Sequence, residues 1–172
     1  MRALSRCRGH MGGGSMRAHF DLPGVRKLVS SADLKQVKEE LAKAGLEIYR
    51  TRPPAEIQVA ERVRLHIMDS GIRVRLGEGV IVSFTARTQR SDFPSVSSEQ
   101  LFSKVRDAVG SIAGARGYTE EGAQAIEVKD PMDDARVLDT WHEVTYAKTL
   151  ESVDAALEEV RWALSIEKYV TT

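Results

Sequence analysis

The side chains best suited to chemistry are few and scattered. Four histidines occur, His10, His19, His66 and His142, and one cysteine, Cys7. His66 stands three residues before Asp69, so an acid–base pair is one reading of the two. Arg62, Arg64, Arg73 and Arg75 surround His66 in sequence. The plainer reading is a partly exposed sheet histidine, with Asp69 serving a turn. His142-Glu143 has the start of a metalloprotease motif, but Tyr146 stands where the second histidine would be needed. Neighbours on a strand also point to opposite faces, so those two side chains could not share one metal. Asp130, Asp133, Asp134 and Asp139 gather at what reads as a hairpin tip; without the glycine and terminal glutamate of a calcium loop they are expected to be a solvated turn. No phosphate-binding loop, dinucleotide fingerprint, nucleophile elbow or paired-cysteine metal site occurs. A small enzyme would have to place its site near His66, Asp69, Trp141 and His142, and the balance favours no catalytic residue, cofactor or metal.

The densest chemistry lies in the stretch RVRLHIMDSGIRVRL, residues 62–76. Strand side chains alternate faces, so Val63, Leu65 and Ile67 point one way and Arg62, Arg64 and His66 the other. Asp69-Ser70-Gly71 has turn chemistry, and after it Ile72, Val74 and Leu76 alternate with Arg73 and Arg75. A two-residue turn at Ser70-Gly71 pairs Ile67 with Val74; a four-residue turn over Met68–Gly71 pairs Ile67 with Ile72. Either register predicts a hairpin with one apolar face and one face carrying Arg62, Arg64, His66, Arg73 and Arg75. Like charges opposite one another in a sheet destabilise it by up to about 1 kcal/mol per pair. Solvent, an acidic element of this chain or of a protein partner, or a polyanion would have to offset that.

The charge of the whole chain is balanced but unevenly spread. Residues 1–90 carry 17 basic and 9 acidic side chains and residues 91–172 carry 8 and 16, so the halves hold +8 and −8. Such asymmetry indicates halves that face each other or two copies packed head to tail. It counts against nucleic acid, because the acidic half repels phosphates. The chain also lacks aromatic residues on a basic sheet for stacking bases. No apolar run is long enough to span a membrane. A single cysteine forms no intramolecular disulfide, which suits a reducing cytoplasm. Residues 1–20 read as a flexible leader: GHMGGGS resembles a linker, Met16 is an alternative start, and the apolar core of a secretory signal is absent. Residues 21–172 then form one α+β domain.

These patterns need elements to position them. Leu34, Val37, Leu41 and Ala44 recur at helical spacing, with Gly45 as a stop and Glu39–Lys43 as a favourable pair. Leu46 to Arg50 reads as a short strand. Ile57 and Val59 share the parity of Val63, and Glu61 breaks the pattern, predicting a bulge or a separate short element there. Val80, Val82, Phe84 and Ala86 form the inward side of a further strand. Ser97 and Gln100 make a capping box for a helix that Leu101, Phe102, Val105, Val109 and Ile112 line. Strands over 124–129 and 137–148 flank the Asp130–Asp134 turn. A last helix over about 150–168 buries Val153, Ala156, Leu157, Val160 and Leu164, with Glu151, Asp154, Glu158 and Glu159 away from that stripe.

The expected order is α-β-β-β(-β)-α-β-β-α, an antiparallel meander plus a C-terminal hairpin, with three helices packed on the sheet. Over residues 31–168 this order resembles the type III secretion chaperone-like fold, which also includes the YbjN-type bacterial regulators. The resemblance implies a non-catalytic, often dimeric, protein-binding module and carries over no functional residue. The expectation is a cytoplasmic protein-binding or regulatory module that self-associates. The alternative is a binder of a phosphorylated ligand or nucleic acid through the basic face of 62–76.

Overall fold

The computed structural model describes residues 31–172; the expected leader, with Cys7, His10 and His19, lies outside the described residues. The first helix, α1 (Ser31–Lys43), buries Leu34, Val37 and Leu41 at the expected spacing and stops at Gly45, whose φ of +81° suits a residue without a Cβ. Lys43 pairs with Glu40 at 2.8 Å rather than with Glu39, which lies 3.9 Å from Lys35. Both pairs are solvated and contribute little to stability.

Six antiparallel strands follow: β1 (Ile48–Arg52), β2 (Glu56–Val63), β3 (His66–Leu76), β4 (Val80–Gln89), β5 (Thr119–Asp130) and β6 (Asp133–Leu150). They form one sheet in the order β1-β2-β3-β4-β6-β5. Between β4 and β5 runs α2, helical over Ser98–Val105, with one wider π turn at Arg106–Gly110 and a closing turn over Ser111–Ala115. The capping box at its start is formed: Gln100 N donates to Ser97 Oγ at 3.3 Å, and Ser97 N to Gln100 Oε1 at 3.0 Å. Ile112, expected to line this helix's buried side, is exposed instead, because the π turn rotates the last turn out of phase. The chain ends with α3 (Val153–Ser165), capped by Ser152, and a short extended tail. This is the expected α+β architecture, with the fourth meander strand present.

The helices pack on one side of the sheet, α1 over β2, α3 over β3 and β4, and α2 over β4 and β6. The alternation read in β4 is observed: Val80, Val82, Phe84 and Ala86 are buried, as are Ile72, Val74, Val144 and Tyr146 beside them. Phe84 sits at the centre, with ring centroids 5.1 Å from Tyr118, 5.5 Å from Tyr146 and 5.7 Å from Trp162. Such contacts add about 0.5–1.5 kcal/mol each to the area they bury. Gly79 lets the β3–β4 turn pass under β6, where a Cβ would lie 2.6 Å from the Leu150 carbonyl oxygen.

Strand lengths create the feature that matters most for function. β3 pairs with β4 only over Ile72–Leu76, so His66–Asp69 has β2 as its one strand neighbour. Similarly β6 pairs with β4 only from Trp141 onward, leaving Asp133–Thr140 joined to β5 alone. Because Gln89 pairs with Trp141 and β3 enters antiparallel to β4, both hairpin turns lie at the same end of the sheet. Two ribbons therefore lie there, on either side of the β4 end, the β2–β3 turn about level with it and the β5–β6 turn beyond it. The place that β3 leaves beside β4 is taken by the tail: Arg87 N donates to Lys168 O at 2.8 Å and Val170 N to Arg87 O at 2.9 Å.

Candidate functional site

The hairpin expected at Ser70-Gly71 is placed differently. Val63 pairs with His66 and Arg62 with Ile67, so the turn is Arg64-Leu65, with Arg64 at φ 57°. Asp69-Ser70-Gly71 does use its turn chemistry, but for a bulge inside β3, where Ser70–Ile72 face Val59 alone. The Asp69 carboxylate accepts from Gly71 N at 3.0 Å, and Ser70 Oγ accepts from Ile72 N at 3.2 Å and donates to Val59 O at 2.7 Å. Gly71 takes φ +75°, which an L side chain resists. At Glu61 itself, the expected place of a bulge or separate element, β2 is regular and pairs with Met68; the extra residues lie on β3, opposite Val59.

This register splits the expected basic face. Arg62, Arg64 and His66 gather at the tip of the β2–β3 ribbon, while Arg73 and Arg75 lie beyond the bulge. Three of the five hold carboxylates of the same chain. Arg62 pairs with Glu47, Arg73 grips Asp69 through two bonds of 2.6 Å, and Arg75 reaches Glu121 of β5 at 2.6 Å. The Arg75 contact spans β4 and β6, whose facing residues Ser83 and Ala147 are small. Arg64 and His66 have no carboxylate partner among the described residues and are exposed. His66 and Asp69 form no pair, since Asp69 is taken by Arg73. Burial alone would raise the Asp69 carboxyl, but the bonds from Arg73 and Gly71 N hold it below the usual range.

A groove of about 740 Å³ opens between the β2–β3 ribbon, the sheet and the tail. Its floor includes Thr85, Arg87, Trp141 and Glu143; Ile67, Met68 and Asp69 form one wall, and Glu167, Lys168 and Tyr169 the other. Arg87 organises the floor. Its guanidinium lies 4.1 Å from the Trp141 ring centroid, 5.8 Å from that of Tyr169 and 3.7 Å from the Glu143 carboxylate. Lys168 donates to the Ala163 carbonyl at 2.8 Å, near the C-terminus of α3, and burial lowers its ammonium despite the opposing carboxylates Glu61 and Glu167.

Of the three further residues singled out in sequence, Asp69 and Trp141 line this groove and His142 does not. As the alternation requires, His142 points to the helix side, fully buried, with its ring 5.0 Å from Phe102 and both nitrogens unpartnered. Burial first, and the Arg90 charge second, hold it below the ordinary histidine value, so the ring is neutral at pH 7. Its neighbour Glu143 faces the groove. The acidic cluster lies at the β5–β6 turn: Asp130 caps Met132 N at 2.9 Å, Asp133 caps Ala135 N at 3.0 Å, and Asp139 accepts from Ser91 Oγ at 2.6 Å.

Sequence reasoning missed Arg87, Glu143, Lys168 and Tyr169. For Arg87 a signal existed, because it continues the outward parity of Ile81, Ser83 and Thr85. For Lys168 and Tyr169 none did, since the tail's position depends on where β3 leaves β4. Glu159, expected on the exposed side of the last helix, is buried and accepts from Lys148 at 2.7 Å and Arg116 at 3.2 Å. No protein-family model matches this chain, nor does any curated protein or solved structure.

Proposed function

We propose that the chain is a non-catalytic protein-binding module that self-associates, and that its groove takes an extended peptide segment of a protein partner. The observation that carries this reading is the composition of the groove. Arg87 between two aromatic rings, with Arg73, Lys168, Glu61, Asp69, Glu143 and Glu167 around it, offers both signs of charge beside apolar and aromatic surface. A peptide bears the same mixture, with donors and acceptors on every residue. The bordering stretch of β3 has a strand neighbour on one side only, which is the arrangement that strand addition uses. The reading also takes up the chaperone-like resemblance of the expected element order and keeps the cytoplasm as the compartment. Among the described residues, no helix is long and apolar enough to cross a membrane.

Selection of random peptides displayed on phage tests the reading. Binders should emerge whose affinity falls about tenfold or more on Arg87→Ala or Trp141→Ala, since anchoring aromatic and arginine side chains dominate such sites. No enriched peptide, or binders indifferent to both substitutions, would overturn it. The polyanion alternative has less support, because Arg62, Arg73 and Arg75 already hold carboxylates. Titration with short RNA at about 50 mM salt, where electrostatic binding is strong, should show none.

A further inference from the structure

The two ribbons at one end of the sheet have opposite character. Residues 62–68, at the β2–β3 turn, carry Arg62, Arg64 and His66 and no carboxylate. Residues 126–138, around the β5–β6 turn, carry four carboxylates against two cations. Arg64 and His66 on one, and Glu127 and Asp134 on the other, are exposed and have no partner of opposite charge among the described residues. Both ribbons also show apolar side chains to solvent: Val63, Leu65, Ile67 and Met68 on the first, Ile126, Met132, Val137 and Leu138 on the second. The turn residues are nearly free, Leu65 at 91% exposure and Met132 at 93%. Exposed apolar clusters rimmed by charge mark interaction surfaces, and two-stranded ribbons are marginal by themselves.

We infer that each ribbon docks on the opposite ribbon of a second copy, closing a two-fold symmetric dimer. The inference rests on the reading of the chain as a self-associating module and names the surfaces involved. Geometry selects the symmetry. The basic ribbon lies on the β3 side of the β4 end and the acidic ribbon on the β6 side. A two-fold axis normal to the sheet turns the second copy end for end and exchanges its sides, so basic meets acidic twice. A two-fold axis in the sheet plane across the strands would set basic on basic and acidic on acidic. The first arrangement satisfies both ribbons in one closed pair, as isologous interfaces do, and leaves neither apolar tip to recruit a third copy.

Sedimentation velocity on the full chain tests this with charge reversal. Wild type should form a dimer that weakens from about 50 mM to about 0.5 M salt as the charges are screened. Arg64→Glu and Asp134→Arg should each weaken dimerisation about tenfold, because the contact occurs twice and each reversal sets like charges together. An equimolar mixture of the two variants should regain the wild-type dimer, with one native and one reversed contact, and so should the Arg64→Glu/Asp134→Arg double variant. Circular dichroism melts should show all variants folded, since these side chains touch no core residue. A dimer that ignores both reversals, or a double variant as weak as the singles, overturns the ribbon pairing and leaves self-association standing. A wild-type chain that stays monomeric at every concentration and salt level overturns both.

Discussion

Removing the Lys148 ammonium should reveal how much of the fold depends on one buried carboxylate. Glu159, on α3, is only 5% exposed and is held by Lys148 Nζ at 2.7 Å and Arg116 Nε at 3.2 Å. Burial alone would raise its pKa, but those two hydrogen bonds keep it below the usual glutamate value, so it is charged at pH 7. Taking one partner from a buried pair costs about 3–5 kcal/mol. In Lys148→Met the half-exposed Arg116 remains, which reduces the expected loss to about 2–3 kcal/mol. The Lys148→Met/Glu159→Leu double variant, with neither charge to desolvate, should recover most of it. Urea denaturation at pH 7 reads both values, and the wild-type melting temperature should fall by about 2–4 °C per kcal/mol lost. The pH dependence supplies a sign test. A carboxylate whose folded pKa is depressed stabilises fully above its unfolded pKa, and that contribution is lost as pH falls through the folded value. The gap between wild type and Lys148→Met should therefore narrow toward low pH. A Lys148→Met protein within about 0.5 kcal/mol of wild type at pH 7 would refute the reasoning.

Three further outcomes follow from the same packing. His142 is buried and neutral with a depressed pKa, so the unfolded state binds protons first. Stability should fall by up to about 1.4 kcal/mol per pH unit below about 6.5 until the folded value is reached, and His142→Leu should remove that slope in chemical denaturation; an unchanged slope would contradict the assignment. Arg75→Glu places a second carboxylate beside Glu121 and should cost about 1–2 kcal/mol in thermal melts, whereas Arg64→Glu at the exposed turn should cost under about 0.5; equal losses would show that the two arginines share one environment. Gly71→Ala forces a side chain to φ +75° in the β3 bulge and should cost about 1–2 kcal/mol by denaturation, while no loss would mean that the bulge shifts freely.

Short-range signals were legible in the sequence and long-range ones were not. The capping box at Ser97 and Gln100 and the alternation of Val80 to Ala86 are each complete within a few residues, and both are observed; of the α3 stripe Ala156 and Val160 are buried, while Val153, Leu157 and Leu164 are half-buried. The turn of the basic hairpin was misread because Asp69-Ser70-Gly71 can serve a turn or a bulge with the same bonds. The real turn, Arg64-Leu65, contains no glycine, asparagine or aspartate to announce it. Glu159 looked exposed because its partners come from β6 and the end of α2, 11 and 43 residues away. The start of β5, Thr119–Ala123, went unseen because its side chains are exposed and no apolar alternation marks it. The groove was invisible for a related reason: its walls come from β3, β6 and the tail, and only their pairing brings them together.

Amide hydrogen exchange at increasing protein concentration tests the central claim, association through two unlike ribbons, without altering a residue. In a dilute solution the amides of 62–68 and 126–138 should exchange quickly, since each ribbon has little beyond its own pair of strands to hold it. As concentration rises through the association range, protection should increase in both segments together and by similar factors, while the α1 surface stays unchanged. Protection in only one segment, or only on the helices, would contradict the account.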